Sequence, residues 1–236
     1  MRVVSLVPSA TETLLALGVR PAACTRFCEQ PGIATVGGTK DPDLRAVIAA
    51  QPDLVVVNDE ENRLVDAEAL RAAGIALHDF SPRSVADVGP GVAALAGAVR
   101  VTVLPAFEPG TWAAWLVDVA APRRAQRAVT FVWRRPWMLL GADTYGASVL
   151  DCLGVDVVTA GEPGSRYPPV ELDEVRAAHP GLVLLPSEPY PFRARHVDEL
   201  VDELPGVDVR LVDGRDLFWW GSRTPEALRR LRGVLS

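Results

Sequence analysis

Residues 1–19, MRVVSLVPSATETLLALGV, decide the fold class. Arg2–Val7 reads as a buried-type strand that breaks at Pro8. Ser9 and Thr11 are cap-type residues, and an apolar helix runs on to Gly18. The unit therefore sets a polar turn and a helix N-terminus at the carboxyl end of a strand, which is where open α/β sheets hold ligands. The apolar run Val3–Val7 is too short for an export signal, and neither a small-residue cleavage site nor a lipobox cysteine follows. Taken as written, the chain is expected in the cytoplasm. A start further upstream would place it in the periplasm or at the cell surface.

Outward from this unit the strand–helix alternation continues. Leu54–Val57 and Ile75–Asp79 read as strands, Asp43–Ala50 and Val65–Ala73 as helices, and Gly74 as a C-terminal stop. Residues 84–126 differ. Two helical stretches, Val85–Val99 and Trp112–Ala121, flank a link punctuated by Pro105, Pro109 and Gly110. Trp112, Trp115, Leu116 and Val119 form an apolar stripe on the second. The alternation then resumes, with strands Ala128–Trp133, Met138–Leu140, Leu182–Leu185 and Val207–Val212. The helices there are Tyr145–Leu153 (capped by Asp143 or Thr144), Glu171–Ala178, His196–Glu203 and Pro225–Val234. The expectation is two α/β lobes with mostly parallel sheets, 1–83 and 127–236, joined by a helical connector, 84–126, with a ligand cleft between them.

Composition excludes several classes. A net charge of −6 argues against a nucleic-acid backbone or an anionic membrane as main partner. No apolar run approaches the roughly 18 residues of a spanning helix. Three cysteines are not a disulfide framework; Cys24 and Cys28 form a C-x3-C pair whose plainer reading is two small buried residues. Three scattered histidines match no zinc motif, and no nucleophile elbow, kinase set or C-x-x-C is present. No metal site, required cofactor or catalytic residue is therefore expected, and a monomer is.

The candidate binding residues lie at strand ends. Pro8 and Ser9 follow the first strand. Cys28 and Glu29 lie in Arg26–Pro31, and Thr39 in Val36–Asp41, where a glycine pair reads either as plain turn chemistry or as a close backbone approach. Asn58 opens Asn58–Asn62, whose three carboxylates read either as helix caps or as partners for a cation or an arginine. In the second half, aromatics gather at strand ends: Trp133, Trp137, Tyr145, Tyr167, Tyr190, Phe192, and Phe218-Trp219-Trp220 beside Arg223. On loops they suggest a large, flat, partly polar ligand; the alternative is core packing.

RVVSLVPSATETLLALG (2–18), GGTKDPDLRAVIAAQPDLVVV (37–57), EENRLVDAEALRAAGI (60–75), PWMLLGADTYGASVLDCLGV (136–155), YPPVELDEVRAAHPGLVLL (167–185) and RTPEAL (223–228) together resemble the class III periplasmic binding proteins. These are the vitamin B12- and ferric-siderophore-binding proteins of ABC importers, and the pattern is nearest to the cobalamin binders. The resemblance implies a non-catalytic binder of a corrinoid (cobalamin-like), haem-like or ferric-chelate ligand. Trp137, Tyr167 and Trp219 would contact it, with Trp220 and Arg223 nearby. It also implies a permease partner, docked through Glu60 or Glu61 on one lobe and Glu171, Asp173 or Glu174 on the other. Where the cobalamin binders stack aromatics, this chain has Gln30, Thr39 and Asn58, making the first lobe's half of a corrinoid site more polar. Pro105, Pro109 and Gly110 split the family's connecting helix in two. A cytoplasmic carrier or sensor, and a small-molecule enzyme, stand as alternatives.

Overall fold

The computed structural model describes residues 1–120, 126–161 and 164–235; Ala121, the expected end of the connector's second helix, lies outside them, as does the rest of the connector to residue 125. In chain order come β1 (Val3–Ser5), α1 (Pro8–Ala16), β2 (Ala23–Cys24), a 3-10 turn (Arg26–Cys28), β3 (Ala34–Thr35), α2 (Leu44–Ala49), β4 (Leu54–Val57), α3 (Leu64–Ala72), β5 (Leu77–Asp79), α4 (Val85–Ala98), a second 3-10 turn (Pro105–Phe107) and α5 (Pro109–Val119). Then follow β6 (Arg127–Trp133), β7 (Met138–Leu139), α6 (Tyr145–Cys152), β8 (Asp156–Val157), α7 (Leu172–Ala177), β9 (Leu182–Pro186), α8 (Ala194–Glu203), β10 (Asp208–Val212), α9 (Gly214–Phe218) and α10 (Thr224–Leu235).

The chain divides into two compact units. One holds Met1–Pro82, Ala86–Ala113 and Trp220–Arg223; the other holds Arg83–Val85, Ala114–Trp219 and Thr224–Ser236.

The sheet of the first unit is wholly parallel, in the order β3-β2-β1-β4-β5. Every residue of β1 and β4 is buried. That is what a central parallel strand, covered on both faces, requires of its sequence. Val4, Leu6, Val55, Val57, Val47 and Leu70 form the core beneath α2 and α3. The helix after β1 starts one step earlier than its cap-type residues suggest. Pro8 occupies the first turn, Val7 is the N-cap, and no side chain caps it. Proline suits that position because its missing N–H has no intrahelical partner there. Ser9 and Thr11 lie inside the helix, where Thr11 Oγ1 donates back to the Val7 carbonyl at 3.0 Å.

Val85–Val119 folds as two helices, α4 and α5, on either side of the link that carries Pro105 and Pro109. Pro90 sits within α4 and cannot donate to the Ala86 carbonyl. The Trp112 indole N–H supplies the missing bond at 3.3 Å. Gly89 allows it, since a Cβ there would lie 2.3 Å from the indole ring. Trp112 and Val119 are buried, as the apolar stripe on α5 predicts.

In the second unit the order is β10-β9-β6-β7. β10, β9 and β6 are parallel, β7 is antiparallel, and β8 pairs with the start of β6. Phe131, Leu139, Val183, Leu185 and Leu200 form its core. β2, β3 and β8 have two residues each, and α9 has five, too short for a periodic pattern. Thr144, not Asp143, caps α6, its side chain accepting from the Ala147 N–H.

Candidate ligand-binding site

All five strands of the first unit end at one edge, and the strand order reverses between β1 and β4. That switch point is a favoured ligand position. Pro8, Ser9, Cys28, Glu29, Thr39 and Asn58 all lie along this edge, but only Glu29 is exposed there. The others are buried, and the side chain of Asn58 in particular builds the edge instead of opening from it. Asn58 Oδ1 accepts from the Glu60 and Glu61 N–H groups at 2.8 and 3.0 Å, and its amide donates to the Phe80 carbonyl at 3.0 Å. Asn62 joins three loops. Its Oδ1 accepts from the Asn58 N–H at 2.9 Å, and its Nδ2 donates to the carbonyls of Leu6 (3.2 Å) and Thr39 (3.0 Å). The capping in this segment thus comes from its two asparagines. The exposed side chains of the edge include Arg26, Phe27, Glu29, Lys40, Asp41 and Asp59. Arg26 lies 4.8 Å over the Phe27 ring and pairs with Asp41 at 3.0 Å.

The glycine pair makes a tight turn within its own loop, bridging Gly37 to Pro42, which is the turn reading of the two that the sequence offers. Gly37 has φ +85°, and a Cβ there would lie 2.6 Å from the Asp41 carbonyl. Gly37→Ala is expected to destabilise the first unit by about 2 kcal/mol, from left-handed strain plus the clash. Thermal unfolding measures it; an unchanged midpoint would contradict this account.

The parallel strands of the second unit also end side by side. After β6 come Arg134, Arg135 and Trp137; after β9, Glu188 to Arg195; after β10, α9 and Trp219. Trp133 stands edge-on to Tyr190 at 5.6 Å, and Tyr190 tilts on Phe192 at 4.7 Å. Trp137 stacks parallel to Phe192 at 6.2 Å and tilts on Phe131 at 4.7 Å. Trp133 is 43% exposed, while Trp137 and Tyr190 are half-buried, so rings with accessible surface border this edge. Arg134 lies 5.3 Å over Trp137 and pairs with Glu199, and its buried Nε–H has no partner among the described residues. Arg135, Arg193 and Arg195 are exposed around the same loops. In a chain of net charge −6 this is a local concentration of positive charge. Trp219 donates its indole N–H to Glu188 Oε1, and Arg215 lies 5.0 Å over its ring, tying the β10 loop to the β9 loop.

Two expected ligand residues turn inward. Tyr145 is buried with its hydroxyl 2.9 Å from Thr224 Oγ1. Trp220 is buried against Phe80, at 4.1 Å, in the first unit. Both are large enough that burial is their main contribution. Arg223 is held by Glu12 of α1, at 2.7 and 3.1 Å. Tyr167 is half-buried on the segment that pairs with β7 through the Leu139 N–H and the Pro168 carbonyl. Of the carboxylates, Glu171 and Asp173 are exposed at the start of α7, and Asp173 is paired with Arg176. Glu60 and Glu61 are half-buried; burial pushes the Glu61 carboxyl up, against a Thr39 hydrogen bond that lowers it.

Sequence reasoning missed Arg134, Arg135, Arg193, Arg195 and His196. The two basic doublets flank the aromatics, but they converge only because β6 pairs with β9, which no local pattern encodes. His196 is buried. Its Nδ1 accepts from the Arg193 N–H at 2.9 Å, closing the N-terminus of α8, and its ring stands edge-on to Tyr190 and Phe192. Burial first, then Arg195 and Arg134, hold its pKa below the ordinary 6.5, against a smaller opposing pull from Glu199. A neutral buried histidine contributes stability that is complete above about pH 6.5 and is lost as pH falls towards the depressed value. The melting temperature is therefore expected to fall between pH 7.5 and 5.5, and less steeply in His196→Asn, which keeps an acceptor but cannot titrate. Equal slopes would remove His196 from this role.

Among the described residues, no helix is long and apolar enough to cross a membrane, and no three histidine, cysteine or acidic side chains are grouped to hold a metal. A hollow lined by Met1, Asp53, Val99 and Arg100 lies by the amino ends of β1 and β4, away from the strand tips.

No family model matches the sequence, and no curated protein matches it. The fold does find matches: it is the α/β fold of the solved periplasmic substrate-binding proteins, as the sequence resemblance implied. The chain superposes on the periplasmic vitamin B12-binding protein BtuF of Vibrio cholerae with a TM-score of 0.79 at 18% identity, covering 99% of this chain and 96% of that one. The periplasmic haem-binding protein RhuT from Roseiflexus sp. RS-1 gives 0.76 at 21%, covering 98% and 96%. The periplasmic haem-binding protein HutB of Vibrio cholerae gives 0.75 at 18%, covering 100% and 98%.

Proposed function

We propose that this chain is a solute-binding protein of the ABC-importer type whose ligand is a flat, anionic chelate: a haem-like macrocycle or a carboxylate-bearing ferric chelate in preference to a cobalamin. The observation that carries the reading is the second unit's strand-tip edge. There the faces and edges of Trp133, Trp137 and Tyr190 are bordered by Arg134, Arg135, Arg193 and Arg195. Aromatic rings hold a macrocycle face, and guanidinium groups hold its carboxylates with charge-assisted hydrogen bonds. The unpartnered Nε–H of Arg134 is a donor that a ligand oxygen would satisfy. Trp219 borders the same edge. The neighbours in fold are named as periplasmic vitamin B12- and haem-binding proteins, which supports binding over catalysis and gives a cytoplasmic location no support. We place the chain outside the cytoplasm, with Glu60 on one unit and Glu171 on the other as the carboxylates offered to a permease.

Titrating the purified protein with haemin, hydroxocobalamin and a ferric tricarboxylate chelate, followed by tryptophan quenching, tests this. Saturable binding of an anionic chelate with a Kd of about 1 µM or below, weakening with salt, is expected. Tighter binding of the cobalamin, or binding of none, would overturn it.

A further inference from the structure

The two ring nitrogens of His196 both face donors. Nδ1 lies 2.9 Å from the Arg193 backbone N–H, and Nε2 lies 3.3 Å from Arg195 Nε. A neutral imidazole has one acceptor nitrogen and one N–H, and an imidazolium has no acceptor at all. One of the two donors is therefore left unanswered in any protonation state. The shorter contact is to the backbone that opens α8, which cannot turn away, so Nδ1 keeps the lone pair. The proton then sits on Nε2, against the Nε–H of Arg195, and no acceptor among the described residues answers it. A buried donor left in that state costs about 1–3 kcal/mol.

The ring is 2% exposed, but its Nε2 corner is not sealed by the core. The side chain against it belongs to Arg195, an exposed residue whose rotamers exchange freely. The corner also adjoins the aromatic edge, since the His196 ring stands edge-on to Tyr190 at 5.6 Å and to Phe192 at 5.5 Å. Phe192 stacks on Trp137, and Arg134 over Trp137 carries a second unanswered donor, its Nε–H. The nearby carboxylate, Glu199, is committed to Arg134. We infer that His196 is itself a ligand residue, its Nε2–H and the Arg195 Nε–H together seating one carboxylate oxygen of the bound chelate. This deepens the reading of the ligand as an anionic chelate and rests on it. An oxygen about 2.9 Å from each nitrogen accepts from both, so a donor–donor conflict becomes two hydrogen bonds to a charged group. A methyl ester offers the same two donors only a neutral carbonyl.

Zinc protoporphyrin IX and its dimethyl ester, diamagnetic and alike in ring, test this on the full chain. Tryptophan quenching reports whether each binds. Proton–nitrogen correlation spectra report the ring of His196, which is the one histidine left in the double variant His78→Asn, His179→Asn. In the free protein at pH 7.5 the proton is expected on Nε2. The diacid is expected to move the Nε2–H signal downfield and slow its exchange with water, and the ester to leave it in place. His196→Asn keeps an acceptor for the Arg193 N–H but has no group at the Nε2 position. Its ratio of acid to ester affinity is expected to fall about tenfold, the loss of one hydrogen bond to a charged group. A proton on Nδ1 in the free protein would overturn the inference. So would an Nε2–H unmoved by a diacid that quenches, with water holding the corner. An acid-to-ester ratio unchanged in His196→Asn would do the same, since a packing role weakens both ligands alike. The first two readouts do not depend on His196→Asn folding. Quenching by neither porphyrin would instead overturn the reading of the ligand, and this inference with it.

Discussion

Arg134→Gln is expected to weaken binding of haemin or a ferric tricarboxylate by about 10–100-fold, the loss of a charge-assisted hydrogen bond of about 1.5–3 kcal/mol. Arg134 sits where several interactions meet: over the Trp137 face, paired with Glu199, and carrying a buried Nε–H that no group among the described residues satisfies. Glutamine keeps a hydrogen-bonding group of similar reach but removes the charge. Stability is expected to change little, because the Glu199 left behind is about a third exposed and can be hydrated. Any affinity for hydroxocobalamin, whose periphery is amide rather than carboxylate, is expected to hold. Trp137→Ala, by contrast, removes ring contact and is expected to weaken every flat ligand. Equal haemin affinity in Arg134→Gln and wild type would take the guanidinium out of the site.

Asn62→Ala is expected to lower stability most among polar substitutions in the first unit. Its amide satisfies one N–H and two carbonyls, from the loops after β1, β3 and β4. Alanine strands all three in a buried site, at a cost of about 3 kcal/mol or more. For a chain of this size that corresponds to a fall in melting temperature of about 6–12 °C. Asn62→Asp keeps the acceptor but turns a negative charge towards two carbonyls, and is expected to do no better. A shift of under about 2 °C in Asn62→Ala would mean that water replaces the amide.

Both residues bear on what could be read in advance. The parallel α/β architecture was legible because buried central strands write themselves as unbroken apolar runs, as in Leu54–Val57, and because Pro8 and Gly74 punctuate them. The first lobe's candidate residues share one edge of the sheet, since every parallel strand delivers its following loop there. Their exposure was not legible. Asn58, Thr39 and Cys28 have polar or reactive side chains, and the fold spends those of Asn58 and Cys28 on neighbouring loops and hydroxyls. Trp220 and Tyr145 show the same limit for aromatics, whose burial depends on what stands opposite them.

The sequence alone determined the alternation of the longer strands and helices, the split between α4 and α5 and the strand ends that carry the candidate residues, because these follow from local periodicity and from backbone limits on proline and glycine. Only the tertiary structure decided which of those residues meet. Pairing β6 with β9 brings two arginine doublets and three rings to one edge. Contacts between residues far apart in the chain depend on strand partners, and strand partners are chosen by burial of the whole sheet rather than by any segment of it.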